Sequence, residues 1–289
     1  MEYIPTESIE FITTEEYPKE DVQRCQQKSK EMMKVIIDIF DRYGIDYMVA
    51  HGTLLGLIRH HGFIPWDDDC DLFVFDEHYA RAIELLRREL PNDMVVHNRR
   101  TDPIYWPIWT KIRDVYSDTE ESLWKIDQKF RFHGIAIDLL RVKTFRNGKF
   151  KVRKRWAKLR SDVKRSKKVL LSSEKFLRKC KHFLLMVWNC CRYIGLQVIR
   201  QIDRRKILCA NYNTVIETVF WYKDVFPLRK NEFDFDGIPV TAPKNTDKVL
   251  RSLYGDYMEL PPLEKRLPHF SKVTFFDSKI GMAESGKAE

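Results

Sequence analysis

From His61 to Phe75 the chain reads HGFIPWDDDCDLFVF, with aspartates at 67, 68, 69 and 71 set against a run of large apolar residues. In an extended strand the side chains alternate between faces, so Asp69 and Asp71 point one way while Cys70 and Leu72 point the other. Carboxylates about 7 Å apart along a strand repel one another, and burial raises their pKa values further. A divalent cation relieves that conflict. Mg²⁺ takes hard oxygen ligands, commonly one or two carboxylates plus water and substrate phosphate, and Asp-x-Asp at the mouth of a strand supplies the pair. The bland alternative is a Pro-Trp-Asp-Asp turn at Asp67 and Asp68 followed by exposed edge charges. On these residues alone both readings stand.

Upstream, HGTLLG places Gly52 and Thr53 at a strand-to-helix junction, where free backbone N–H groups and the helix dipole receive a phosphate. A phosphate cradle and a carboxylate pair separated by one helix form a minimal site for phosphoryl transfer. A third acid is then expected on a neighbouring strand. GIAIDLL offers Asp138, a lone carboxylate in an apolar run, whose burial requires a partner. It is a metal ligand, a base, or one half of a salt bridge to Arg113 or Arg141. Lys111 and Arg113 alternate with Ile112 after YWPIW; both are candidates to neutralise a donor diphosphate, ordinary surface charge being the other reading. His51, His60 and His61 lack the spacing and carboxylate partner of a zinc site. Trp66, Trp106 and Trp109 would stack a base or enclose a quaternary ammonium, or else pack the core.

These residues need elements to hold them. Helical periodicity runs over 20–43 and stops at Gly44. IDYMVAHG reads as a buried strand, TLLGLIRHHG as a short helix with Thr53 at or near its N-cap, and CDLFVF as the next strand. DEHYARAIELLRREL is an amphipathic helix; DMVVHN, YWPIWTKIRDV and HGIAIDLLRV are strand-like, and RNGK reads as a turn around Gly148. From Lys151 to about Trp221 the pattern is helical. Its most apolar stretch, HFLLMVWNCCRYIGLQVIR, is interrupted by Asn189, Arg192 and Gln197 and is too polar to span a membrane. The expected organisation is an α/β (α+β) catalytic core over 1–150, a basic helical insertion over 151–225, a closing segment of the core over 226–277 and a loose tail over 278–289.

The formal net charge of +9 is unevenly spread: Arg141 to Lys181 holds eighteen Lys or Arg against Asp162 and Glu174, a net +16, which leaves −7 for everything else. Basic residues interleave with Phe150, Trp156, Leu159, Val163 and Phe176 in this segment. Residues 150–206 therefore suit an anionic leaflet, a solvated insert or RNA. Six cysteines with no CxxC pairing suggest reduced thiols in the cytosol, and the first 25 residues lack the pattern of a secretory signal.

HGTLLGLIRHHGFIPWDDDCDLFV closely resembles the signature of the LicD family, phosphocholine transferases related to fukutin-type ribitol-phosphate transferases. IPVTAPKNTDKVLRSLYGDYMELPPLEKRLPH, residues 238–269, resembles that family's closing motif. The resemblance implies a nucleotidyltransferase-like core, with a small mixed sheet flanked by helices. It implies that Asp69, Asp71 and Asp138 hold catalytic Mg²⁺, Mn²⁺ being the alternative, and that Gly52 and Thr53 sit on the donor's phosphates. Arg59 joins the donor contacts, and Arg59 to Trp66 form the connection that aims the aspartates. A phospho-alcohol would pass from a CDP-linked donor such as CDP-choline to a glycan or lipid-linked glycan acceptor, releasing CMP, in lipopolysaccharide or teichoic acid synthesis. The expected place is cytoplasmic, at the inner membrane face, with no stable nucleic-acid partner. Cys70 replaces an aliphatic residue of the pattern and Arg141 departs from it after the third acid, so the transferred group stays open. Asp256 and His269 are worth testing on the resemblance alone. The rival readings are a nucleotidyltransferase acting on a small molecule or RNA, and a non-enzymatic basic nucleic-acid-binding module.

Overall fold

A computed structural model describes residues 19–121, 129–172, 175–212 and 217–276. The expected tail over 278–289 lies outside them. Residues up to Lys143 together with those from Cys209 onward form one compact unit, and Thr144–Leu208 form another. The fold is mixed α/β, with helices flanking a mixed sheet.

The first unit opens with α1 (Lys19–Tyr43). Val22, Cys25, Ser29, Met32, Met33, Ile36 and Phe40 recur every three or four residues and are buried, the stripe a helix lays on a core. Gly44, at φ +63°, ends it in the left-handed conformation that glycine adopts without a Cβ clash. Then come β1 (Tyr47–Val49), α2 (His51–His60), β2 (Cys70–Phe75), α3 (Asp76–Glu89), β3 (Met94–His97), β4 (Thr110–Asp114), β5 (Ser117–Glu121) and β6 (Ala136–Arg146). The main sheet runs β1-β2-β6-β4-β3. β2 and β6 are parallel, whereas β1–β2, β4–β6 and β3–β4 are antiparallel. β2 is buried at every position except Asp71, as a strand with both faces covered should be.

In the second unit α4 (Asn147–Leu170) and α5 (Phe176–Ile202) pack around Val152, Leu159 and Leu196, with the Trp156 and Tyr193 rings 4.7 Å apart. RNGK is not the expected turn but the passage from β6 into α4. Gly148 is required there because a Cβ would lie 2.6 Å from the Ile199 carbonyl oxygen.

Helix does not continue to Trp221. β7 (Lys206–Ala210) and β8 (Thr218–Trp221) extend the main sheet from β6, because their short apolar, partly β-branched runs have a sheet edge to join. α6 (Tyr222–Val225) leads to a hairpin of β9 (Arg229–Phe235) and β10 (Ile238–Ala242). It turns on Asp236 and Gly237, both at positive φ, the Asp-Gly signature of a tight hairpin. α7 (Thr246–Tyr254) and β11 (Phe270–Phe275) follow, β11 pairing antiparallel with β5.

One buried polar cluster supports β3 and β4. His97, fully buried, lies between Asp102 Oδ2 at 3.0 Å and Arg113 Nε at 3.1 Å. Burial, joined by the Arg113 and Lys111 charges, pushes the imidazole down to about 4 against the pull of Asp102. A histidine neutral when folded and protonated more readily when unfolded gives stability that is full above pH 6.5 and is lost as pH falls toward 4. Wild-type protein is expected to lose about 2–3 kcal/mol at this residue between pH 7 and 4.5. Chemical denaturation of His97→Gln at the two pH values should show a correspondingly smaller drop.

Candidate active site

The sheet register assembles the site. Asp71 of β2 pairs with Asp138 of β6, and Asp138 pairs with Lys111 of β4. The three stand in one row across adjacent strands, and such a row shares one face of the sheet. Lys111 Nζ is 2.9 Å from Asp138 Oδ1, close enough for charge pairing though not aligned as a hydrogen bond. The partner of Asp138 is thus Lys111 rather than Arg113 or Arg141. Arg141 pairs with Asp76. Arg113 is buried, donating from Nε to His97 and from Nη1 to the Gly134 carbonyl at 2.7 Å. Its guanidinium is engaged by His97 and the Gly134 carbonyl rather than by Asp138.

Asp69 stands just before β2 rather than within it. Its carboxyl is held above the usual range by burial, with Asp68 and Asp138 adding repulsion against the pull of His269 and Lys111. Asp71 is raised well above it by burial and by Asp69, Asp138 and Asp67, Lys111 opposing.

Two residues outside the Asp69–Asp71–Asp138 set join them, Asp67 and His269, the latter already marked by the resemblance as worth testing. Asp67, Asp69 and His269 each offer a ligand atom within 4.8 Å of the others. His269 Nδ1 is 3.4 Å from Asp67, 3.4 Å from Asp68 and 3.7 Å from Asp69. Its backbone N–H donates to Asp68 Oδ1 at 2.7 Å. Hydrogen bonding to Asp68, then the charges of Asp69 and Asp67, push the imidazole up to about 11. Burial and Asp69 raise Asp67 well above its ordinary value. The turn that forms is Ile64-Pro65-Trp66-Asp67, one residue earlier than the expected Pro-Trp-Asp-Asp turn, Asp67 N–H donating to the Ile64 carbonyl at 2.9 Å, and the Asp67 carboxylate lies in the cluster. The aspartate spacing 67, 69, 71 was the available signal. On α7, burial, joined by the charges of Asp71, Asp67 and Asp69, raises the Tyr254 phenol.

The phosphate loop differs in detail. Ala50, not Thr53, is the N-cap of α2. The Thr53 hydroxyl instead accepts from the Asp71 N–H at 2.8 Å, fixing the strand mouth. Gly52 faces Asp67: a Cβ there would stand 2.5 Å from Asp67 Oδ2, so the glycine lets that carboxylate approach the helix start. Arg59 is buried and donates from Nη1 to the Tyr257 carbonyl at 2.8 Å. Burial pulls it down to about 10 although Tyr254 and Asp67 oppose the change. It ties the loop to the closing segment.

The loop is gripped from behind by α1. Gln26 Nε2 donates to the Asp67 carbonyl at 2.8 Å and the Ile64 carbonyl at 3.1 Å, and Ser29 Oγ to the Asp68 carbonyl at 3.3 Å. Gln26→Leu is expected to lower turnover roughly ten- to a hundredfold through misplaced aspartates. Steady-state kinetics should show the loss mainly in kcat.

With this geometry in view, residues 44–180 match the LicD/FKTN/FKRP nucleotidyltransferase domain. The chain carries a LicD-family domain. It is 26% identical to the lipopolysaccharide cholinephosphotransferase LicD of Haemophilus influenzae, over 81% of this chain and 91% of that protein. It is 31% identical to the ribitol 5-phosphate transferase FKRP of Homo sapiens and of Mus musculus, over 21% of this chain and 12% of theirs. The matched LicD range holds Gly52, Thr53, Asp67, Asp69, Asp71, Lys111 and Asp138, while Tyr254 and His269 lie beyond it.

Proposed function

We propose that this phosphotransferase moves phosphocholine, or a similar phospho-alcohol, from a CDP-linked donor to a hydroxyl of a cell-surface glycan or its lipid-linked precursor, releasing CMP. The observation that carries the reading is the row Asp71–Asp138–Lys111, with Asp69 and Asp67 at its mouth. The relatives named as cholinephosphotransferase and ribitol 5-phosphate transferase support a phospho-alcohol as cargo.

A divalent cation fits this donor set. Several carboxyls are held partly buried at raised pKa values, and a protonated imidazole already serves them as counter-charge. Asp69, Asp71 and Asp138 would hold Mg²⁺ or Mn²⁺. When bound, the ion supplies charge neutralisation for the donor diphosphate and for the departing CMP. The acceptor hydroxyl oxygen forms a bond to the phosphorus that bears the alcohol, the phosphorus–oxygen bond to CMP breaks, and the hydroxyl proton passes to the Asp138 carboxylate. Lys111 holds Asp138 in place during that transfer.

The test is to incubate the protein with CDP-choline, Mg²⁺ and candidate glycans. CMP and a glycan heavier by phosphocholine are expected. Release of diphosphate alone, and only from a nucleoside triphosphate, would establish the nucleotidyltransferase instead.

A further inference from the structure

The α4–α5 unit carries a surface that the transfer chemistry does not use. Along α5, Phe176, Leu177, Leu184, Trp188, Ile194 and Ile202 are 63–83% exposed. At 100° per residue these six fall within about 120° of one another, as do Cys180, Val187 and Val198 between them. The face of α5 that packs on α4 is the opposite one, marked by buried Asn189 and Leu196. Soluble chains rarely expose a contiguous apolar strip of this length. α4 adds the complement: eleven Lys or Arg against Asp162 as its lone acid, while α5 carries five basic residues and no acid. Lys158, Arg160, Lys164, Arg165, Lys167 and Lys168 of α4 are exposed.

We infer that the α4–α5 unit docks in the plane of an anionic phospholipid leaflet, α5 sinking its apolar face among the acyl chains while the basic residues meet lipid phosphates. No helix among the described residues is long and apolar enough to cross a membrane, and a strip along one side of a helix is what lying in the interface requires. Lys181 and Arg192 sit at one edge of the apolar arc, placed to extend their charged ends toward head groups. Charge decides between a bilayer and a second copy of the chain as the occupant. Apposing two α5 faces would bring together two units, each with sixteen basic residues and one acid on its helices, whereas lipid phosphates neutralise them. RNA would satisfy the charge but leave the aliphatic strip in water.

The inference does not depend on the phosphotransferase reading, and its test uses no substrate. The full chain is sedimented with vesicles of phosphatidylglycerol and phosphatidylcholine, and with vesicles of phosphatidylcholine alone. Binding is expected to the anionic vesicles and to weaken with salt. Trp188→Glu should reduce it at least about tenfold, and Lys164→Glu and Lys168→Glu roughly fivefold each. All three positions are solvent-exposed, and circular dichroism verifies that the variants fold. The inference is overturned by absence of binding to anionic vesicles or by equal binding of Trp188→Glu. Retention on a polynucleotide without vesicle binding would overturn it too, as would a dimer that Trp188→Glu dissociates while the wild type ignores vesicles.

Discussion

Asp69→Asn and Asp71→Asn are each expected to lower turnover by about 10³-fold or more and, without divalent cation, to melt at or above the wild-type temperature at pH 7. The two effects share one cause. Burial and mutual repulsion hold both carboxyls above their ordinary range, so their ionised forms are more comfortable in the unfolded chain. An acid with a raised folded pKa subtracts stability at neutral pH and restores it as pH falls through the raised value toward the ordinary one. Asparagine removes the charge at nearly constant volume, leaving no cavity. Kinetics and thermal denaturation on the same preparations check both halves. A fully active Asp71→Asn, or a variant that unfolds at room temperature, would contradict the assigned role.

Mg²⁺ or Mn²⁺ at a hundred times its dissociation constant should stabilise the wild type by about 2.7 kcal/mol, roughly 4–5 °C in Tm for a chain of this size. The gain disappears in Asp69→Asn. It also shrinks below neutral pH, because protons compete for carboxyls whose pKa values are already raised. His269→Gln separates two roles. If the imidazole is chiefly a counter-charge to Asp67, Asp68 and Asp69, the variant without metal loses stability at pH 7, while its gain on adding the ion equals or exceeds that of wild type. An unchanged Tm on adding either ion to wild-type protein would remove the metal from the site.

Most helices and strands of the first 150 residues were readable because they depend on local periodicity; β5 (Ser117–Glu121), a polar run whose partner is β11, was not. The 3.6-residue stripe of α1 and the apolar run of β2 need no knowledge of what lies across from them. β7 and β8 were missed for the complementary reason: Lys206–Ala210 and Thr218–Trp221 are short, and a short apolar run becomes a strand only when a sheet edge accepts it. The Asp-Gly pair at 236 and 237, by contrast, specifies its hairpin locally.

The site divides along the same line. Within the chain's own order lay the acidic segment 67–71, a glycine and threonine one helix upstream, and a lone aspartate in an apolar strand, enough to suggest phosphoryl transfer and the family. Alternation along β4 put Lys111 and Arg113 on one face, but only the register with β6 set Lys111 beside Asp138 and left Arg113 to His97. The grip of Gln26 on the aspartate loop and the approach of His269, whose N–H reaches Asp68 across 201 positions, depend on where α1 and β11 are laid down. Side-chain type and spacing along one segment state what chemistry is available. Which charge neutralises which is decided by distances between segments, because the electrostatic force acts through space and takes no account of order along the backbone.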